Sequence, residues 1–180
     1  LEKEPDNPYY CCFEGVTLTL DALLTGKADR VVYWGTSGER ITDTYMFDSF
    51  GMTELIESSF LLCGKDIQNQ LKAPEFSELY ADVKRHYDTI RKYAKKTGRS
   101  IYSFGWMLDI ARCIYTLRTG KIIAKTNAGE WALENNLCPD PEVLRIALEV
   151  RRSPFNHKED KQTFDYAETL ALSLIHISEP

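Results

Sequence analysis

Residues 100–121 read SIYSFGWMLDIARCIYTLRTGK, and the placing of their apolar residues decides the fold. Ile101, Phe104, Leu108, Ala111 and Tyr115 recur at the three-four spacing of one helical face, and Met107, Ile110, Ile114 and Leu117 make a second stripe. A helix apolar on two sides has to be covered on two sides, which predicts the inner helix of a bundle. Between the stripes runs a narrow polar line of Gly105, Asp109, Arg112 and Thr116. Asp109 and Arg112 are close enough along it to pair across one turn. Thr119-Gly120 ends the helix, because glycine takes the left-handed conformation of a C-cap without strain. A short extended run, GKIIAK, then carries Lys121 and Lys125 toward a helix over residues 126–135 that holds Glu130 and Trp131.

Helical signals continue on both sides of this stretch. Downstream, Asp140-Pro141-Glu142 opens a helix with Asp140 as N-cap and Pro at N1, and Val143, Ile146, Ala147 and Val150 line its apolar face. A last helix over residues 158–172 follows the break at Ser153-Pro154. Upstream, Pro74 suits a first helical position, and Phe76, Leu79, Val83, Tyr87, Ile90 and Ala94 mark one face that closes at Lys95-Lys96-Thr97-Gly98. The lysines there also suit the negative end of the helix dipole.

Before residue 64 the pattern differs. Residues 9–20, YYCCFEGVTLTL, alternate and are rich in aromatic and β-branched types, which predicts a strand with room for a bulge at Gly15. Residues 21–24 suit a turn or short helix, and residues 30–36 a second strand ended by Thr36-Ser37-Gly38. A short helix over 50–59 and a short apolar strand over 60–63, ended by Gly64, complete this part. The fold class is therefore α+β. A small mixed α/β piece spans residues 1–66, an antiparallel helical bundle spans 74–172, and the boundary lies between Gly64 and Pro74. Residues 173–180, SLIHISEP, read as a non-native read-through tail and are set aside with His176.

Composition narrows the function classes. With 43% hydrophobic and 27% charged residues among 180, the chain is of globular rather than disordered type. A net charge of −5 argues against nucleic acid, whose phosphates call for a basic patch, and is compatible with a cationic ligand. No apolar run approaches the roughly 20 residues that span a bilayer, so no membrane association is expected. The start LEKEPDNP is unlike a secretory signal, which places the chain in the cytoplasm, and without a Met it reads as truncated. Five cysteines, Cys11, Cys12, Cys63, Cys113 and Cys138, include no CxxC pair, and two fall in apolar runs. That pattern predicts buried thiols in a reducing compartment rather than a disulfide frame or a zinc site. His86 and His157 have no partner pattern and read as surface residues. No feature of the sequence sets an oligomeric state.

The block from Trp106 to Ala132 resembles the C-terminal helical domain of aminoglycoside nucleotidyltransferases of the streptomycin/spectinomycin adenylyltransferase type. The matching residues are Leu108-x-Ile110-x-Arg112, Thr119-Gly120-Lys121-Ile122, Lys125, Ala128 and Trp131-Ala132. Upstream, Phe13-Glu14-Gly15-Val16-Thr17-Leu18 looks like the last acidic strand of that family's nucleotidyltransferase domain. Leu61-Leu62-Cys63-Gly64 looks like the segment that precedes its helical domain. The resemblance implies transfer of AMP from ATP to a hydroxyl of an aminoglycoside or aminocyclitol. It implies Mg²⁺ held by a Gly-Ser followed by Asp-x-Asp, and a further acid that activates the hydroxyl. The chain contains neither Gly-Ser nor Asp-x-Asp. A fragment without its own metal site is expected, with ATP and Mg²⁺ as partners of the full-length parent and neither binding the fragment tightly.

Residue by residue, the resemblance makes Glu14 the candidate general base, one position out of register with the family's usual Glu-Val-Thr through Gly15. It puts Asp109, Trp106 and Glu130 on the side of a small cationic substrate, where a carboxylate would bind amines by charge-assisted hydrogen bonds. It makes Lys121, Lys125 and Arg112 candidates for the nucleotide phosphates. Read from the residues alone, Arg112 pairs with Asp109 to satisfy a polar seam, the lysines stabilise helix ends, and Trp106 and Trp131 pack the core. A reading from another class stays open, a non-catalytic helical-bundle module that binds a partner or nucleotide, since fold does not fix function.

Overall fold

The computed structural model describes residues 14–34, 40–45, 47–93, 101–157, 160–163 and 165–167. The chain divides into two compact units, Leu1–Pro74 and Glu75–Pro180.

In the first unit, strands β1 (Gly15–Thr17), β2 (Asp29–Trp34) and β3 (Arg40–Tyr45) form an antiparallel sheet in that order, with helix α1 (Leu20–Thr25) between β1 and β2 and helix α2 (Ser49–Ser58) after β3. Thr19 caps α1 through its hydroxyl, which accepts from the Ala22 amide at 3.2 Å. The Thr19 amide and hydroxyl both donate to Asp29, at 2.8 and 2.7 Å, and these bonds hold the Asp29 carboxyl below its ordinary pKa. Gly15 is not bulged. It lies opposite Trp34 in register, and the Trp34 indole fills the space a Cβ on Gly15 would need. The irregularity lies in the β2–β3 pairing, where Asp29 to Val31 faces Tyr45 to Thr42 and β3 carries the extra residue.

Two further readings of this unit change. Strand β3 adds to the expected elements, and its Ile41, Thr42, Thr44 and Tyr45 are of types that favour strands. Residues 60–63 form no strand; Phe60 and Leu62 are 91% and 95% exposed. A short apolar run becomes a strand only where a neighbour offers a ladder of hydrogen bonds. Among the described apolar residues of this unit, only Ala22 and Val31 are buried.

The second unit is helical, with α3 (Phe76–Tyr93), α4 (Ile101–Thr119), α5 (Lys125–Glu134) and α6 (Pro141–Arg152), then a 3-10 turn at Pro154–His157. Helical residues 161–163 and 165–167 fall within the expected last helix, the rest of which lies outside the described residues. Helix α3 begins two residues after Pro74, where the Glu75 amide donates to the Glu78 carboxylate at 2.9 Å. Leu79, Val83, Tyr87 and Ile90 are buried as the face required, whereas Phe76 is 53% exposed; Ala94 and residues 95–98 lie outside the described residues.

Helix α4 packs against α3, α5 and α6, and both of its apolar stripes are used: Phe104, Leu108 and Ala111 are buried, as are Met107, Ile110 and Ile114. Its end is the expected glycine cap, with Gly120 at φ 70° and its amide donating to the Thr116 carbonyl at 2.8 Å. Helix α5 comes close to both neighbours through small residues. A Cβ on Gly129 would stand 2.6 Å from Leu108 Cδ2 and 2.8 Å from Leu148 Cδ2. Asp140 caps α6 as read, its Oδ1 accepting from the Glu142 and Val143 amides. Among the described residues no helix is long and apolar enough to cross a membrane.

The two histidines differ. His86 is exposed as read, but the turn after Pro154 folds His157 back toward α6, with its ring 3.9 Å from Glu149 and 3.7 Å from Asp160. Its side chain is only 15% exposed.

Candidate functional site

Asp109 lies in the middle of α4 and is buried. Arg112, one turn later, donates from Nη2 to its Oδ1 at 3.2 Å, and Lys125 donates from Nζ to its Oδ2 at 2.8 Å. Lys125 is the first residue of α5, and the left-handed Gly120 reverses the chain so that this lysine returns alongside α4. A carboxylate withdrawn from water costs several kcal/mol unless it is paired. The three side chains answer that cost by gathering two cations around one acid. The sequence alone supplied the Asp109–Arg112 pair; Lys125, sixteen positions along, entered through the turn.

Three further features lie on the same two helices or at their ends. Helix α5 has Ala124 at its N-cap, which carries no side-chain acceptor for the first amides. Thr116, two turns beyond Asp109 on the same line, is buried, and among the described residues nothing pairs with its Oγ1. Cys113, one turn beyond Asp109, is buried as well. Burial and, next, the Asp109 charge push its thiol up to about 12 against the opposing pull of Arg112 and Lys125. It therefore remains a neutral thiol and is no nucleophile.

The other residues singled out from the sequence sit elsewhere. Glu130 pairs with Arg152 of α6, and both side chains are about half exposed. Lys121 is exposed, and its amide donates to Thr119 Oγ1 at 3.2 Å. Trp106 and Trp131 are half-buried and are not core residues. The Trp131 ring meets Tyr115 edge-on at 5.1 Å, with Arg118 at 5.9 Å over its face. A large side chain on an amphipathic helix need only be covered on one side, which is why hydrophobicity overstated their burial. Glu14 is exposed and directly precedes β1. The structure thus brings Asp109, Arg112 and Lys125 together and leaves Glu130 to Arg152.

Among the described residues no group of three or more His, Cys, Asp or Glu side chains could hold a metal ion. The cluster that does exist has the opposite character, cations beside an uncapped helix start, which suits phosphate or carboxylate oxygens.

A family model described as aminoglycoside adenylyltransferase, C-terminal domain, matches residues 77–176. That span contains Asp109, Arg112, Lys125 and Thr116 but not Glu14. No curated protein and no solved structure gives a significant match.

Proposed function

The chain belongs to the aminoglycoside adenylyltransferase C-terminal domain family, and we propose that its helical unit contributes a phosphate-binding wall to ATP-dependent transfer of AMP. The acceptor in this reading is a hydroxyl of a small cationic aminoglycoside or aminocyclitol. The hydroxyl oxygen attacks the α-phosphorus and pyrophosphate departs. Arg112 and Lys125, gathered at Asp109, hold phosphate oxygens as negative charge moves onto the leaving group. Exposed Lys121, four positions before α5, is assigned to the phosphates with them. In the full-length parent, by family likeness, Glu14 is the acid that takes the proton from the acceptor hydroxyl, and Trp106 and Glu130 are assigned to the acceptor. The observation that carries the reading is the convergence on Asp109 of two cations, Arg112 and the first residue of the uncapped helix α5, Lys125.

The described residues do not fit a magnesium site, so no step is assigned to protein-held metal. The test is a site-resolved titration. Adding ATP to the isotopically labelled chain should shift the amide signals of Lys125, Thr126 and Asn127 together with the Arg112 side chain, and Lys125→Gln should remove those shifts. Shifts confined to other helices, or none at all, would exclude this reading.

A further inference from the structure

We propose that Asp109 is a positioning residue for this anion site rather than a ligand for the cationic acceptor. The inference rests on the phosphate reading above. Both Asp109 oxygens are occupied by protein cations, Oδ1 by Arg112 and Oδ2 by Lys125, and the carboxylate is buried. An amine of a substrate would have to compete with two cations already in place and reach a group closed off from solvent. The geometry serves another purpose. Arg and Lys carry the most rotamer freedom of any side chains, and immobilising each one on binding costs a ligand part of its affinity. Asp109 meets that cost in the free protein. It draws the Arg112 guanidinium back along α4 and the ammonium of Lys125, the first residue of α5, inward across the turn, so that both cations are held side by side before a phosphate arrives.

Partial exposure agrees with this division of labour. The Asp109 side chain is 9% exposed, that of Arg112 13% and that of Lys125 26%, so the acid lies deepest and the cations stand between it and solvent. Asp109 thus sets where the two positive charges sit. Its own charge works against anion binding, and this gives the proposal a sign that a purely electrostatic account cannot reproduce.

The experiment compares binding of inorganic tripolyphosphate to the full chain and to three variants, with thermal unfolding recorded for each. Lys125→Gln tests the anion site itself; if it binds as the parent does, the phosphate reading fails whatever Asp109 does. Asp109→Asn removes a negative charge, so a charge-only account expects tighter binding, whereas loss of positioning should weaken it about three- to ten-fold. Asp109→Glu keeps the charge but moves the carboxylate by one methylene, and it should weaken binding similarly while remaining folded. Should Asp109→Asn fail to fold, the Glu variant decides. Weaker binding by either folded variant supports the proposal, and unchanged or tighter binding by the folded variants overturns it. A nitrogen-detected spectrum of the Lys125 ammonium in the ligand-free chain gives a readout independent of any anion. A slowly exchanging signal in the parent, lost in Asp109→Asn, is expected, and its absence from the parent would refute the positioning.

Discussion

Lys125 Nζ stands 2.8 Å from Asp109 Oδ2 across sixteen positions of chain, which fastens the first turn of α5 to the middle of α4. Because the acid is buried, this tie and the Arg112 pair beside it belong to the packing of the helical unit as much as to its chemistry. Asp109→Ala removes the carboxylate that Lys125 and Arg112 share and should lower the unfolding free energy by about 3 kcal/mol or more. Glu130→Ala removes an exposed partner of Arg152 and should cost under about 1 kcal/mol. Urea unfolding of the two variants checks the contrast; equal losses would mean that Asp109 is not the buried hub described.

Two glycines should respond in opposite directions to the same substitution. Alanine is the better helix former by roughly 1 kcal/mol. At Gly105 of α4 a Cβ meets nothing within 4 Å, so Gly105→Ala should stabilise the chain by about 0.5–1 kcal/mol. At Gly129 the same atom would lie 2.6 Å from Leu108 Cδ2 and 2.8 Å from Leu148 Cδ2. Overpacking of this kind typically costs about 1–3 kcal/mol, so Gly129→Ala should be net destabilising. A shared upward shift in melting temperature would show that α5 is held less closely than the structure has it.

Cys113 links burial to alkaline pH. The native thiol titrates at about 12 and an unfolded one near the ordinary value of 9.0. Between those values the unfolded state sheds a proton that the native state keeps, so stability present below pH 9 is lost as pH rises toward 12. The slope from this group is about 1.4 kcal/mol per pH unit. Cys113→Ser should flatten the dependence over that window relative to the parent. At pH 8 iodoacetamide should modify the exposed Cys63 well before Cys113, and peptide mapping reads the order directly.

The 180-residue chain should not transfer AMP from Mg-ATP to streptomycin or spectinomycin on its own. It contains no Gly-Ser and no Asp-x-Asp, and its described residues hold no carboxylate group suited to a metal. In-line transfer depends on such ligands to bridge the phosphates and take up the developing charge. Robust formation of an adenylylated product, followed by mass spectrometry, would show that another set of residues performs this role.

Periodicity made the helical unit legible. The two stripes of α4, the face of α3, the Gly120 stop and the Asp140-Pro141 start are all local signals, since a helix makes its hydrogen bonds within itself and repeats every few residues. The Asp109–Arg112 pair was readable for the same reason, being one turn apart on one helix. Family likeness, too, resides in a continuous block and needed no coordinates.

Tertiary structure alone decided the rest, because it depends on contacts between residues distant in sequence. Residues 60–63 have the composition of a strand but pair with no strand among the described residues, while β3 exists because β2 lies beside it. Trp106 and Trp131 have core hydrophobicity, yet only neighbouring helices could set how much of each ring stays in contact with solvent. Above all, Asp109 reads in sequence as an acid awaiting a cation. The turn at Gly120 returns Lys125 to it, and with that contact the acid becomes the anchor of a cationic site.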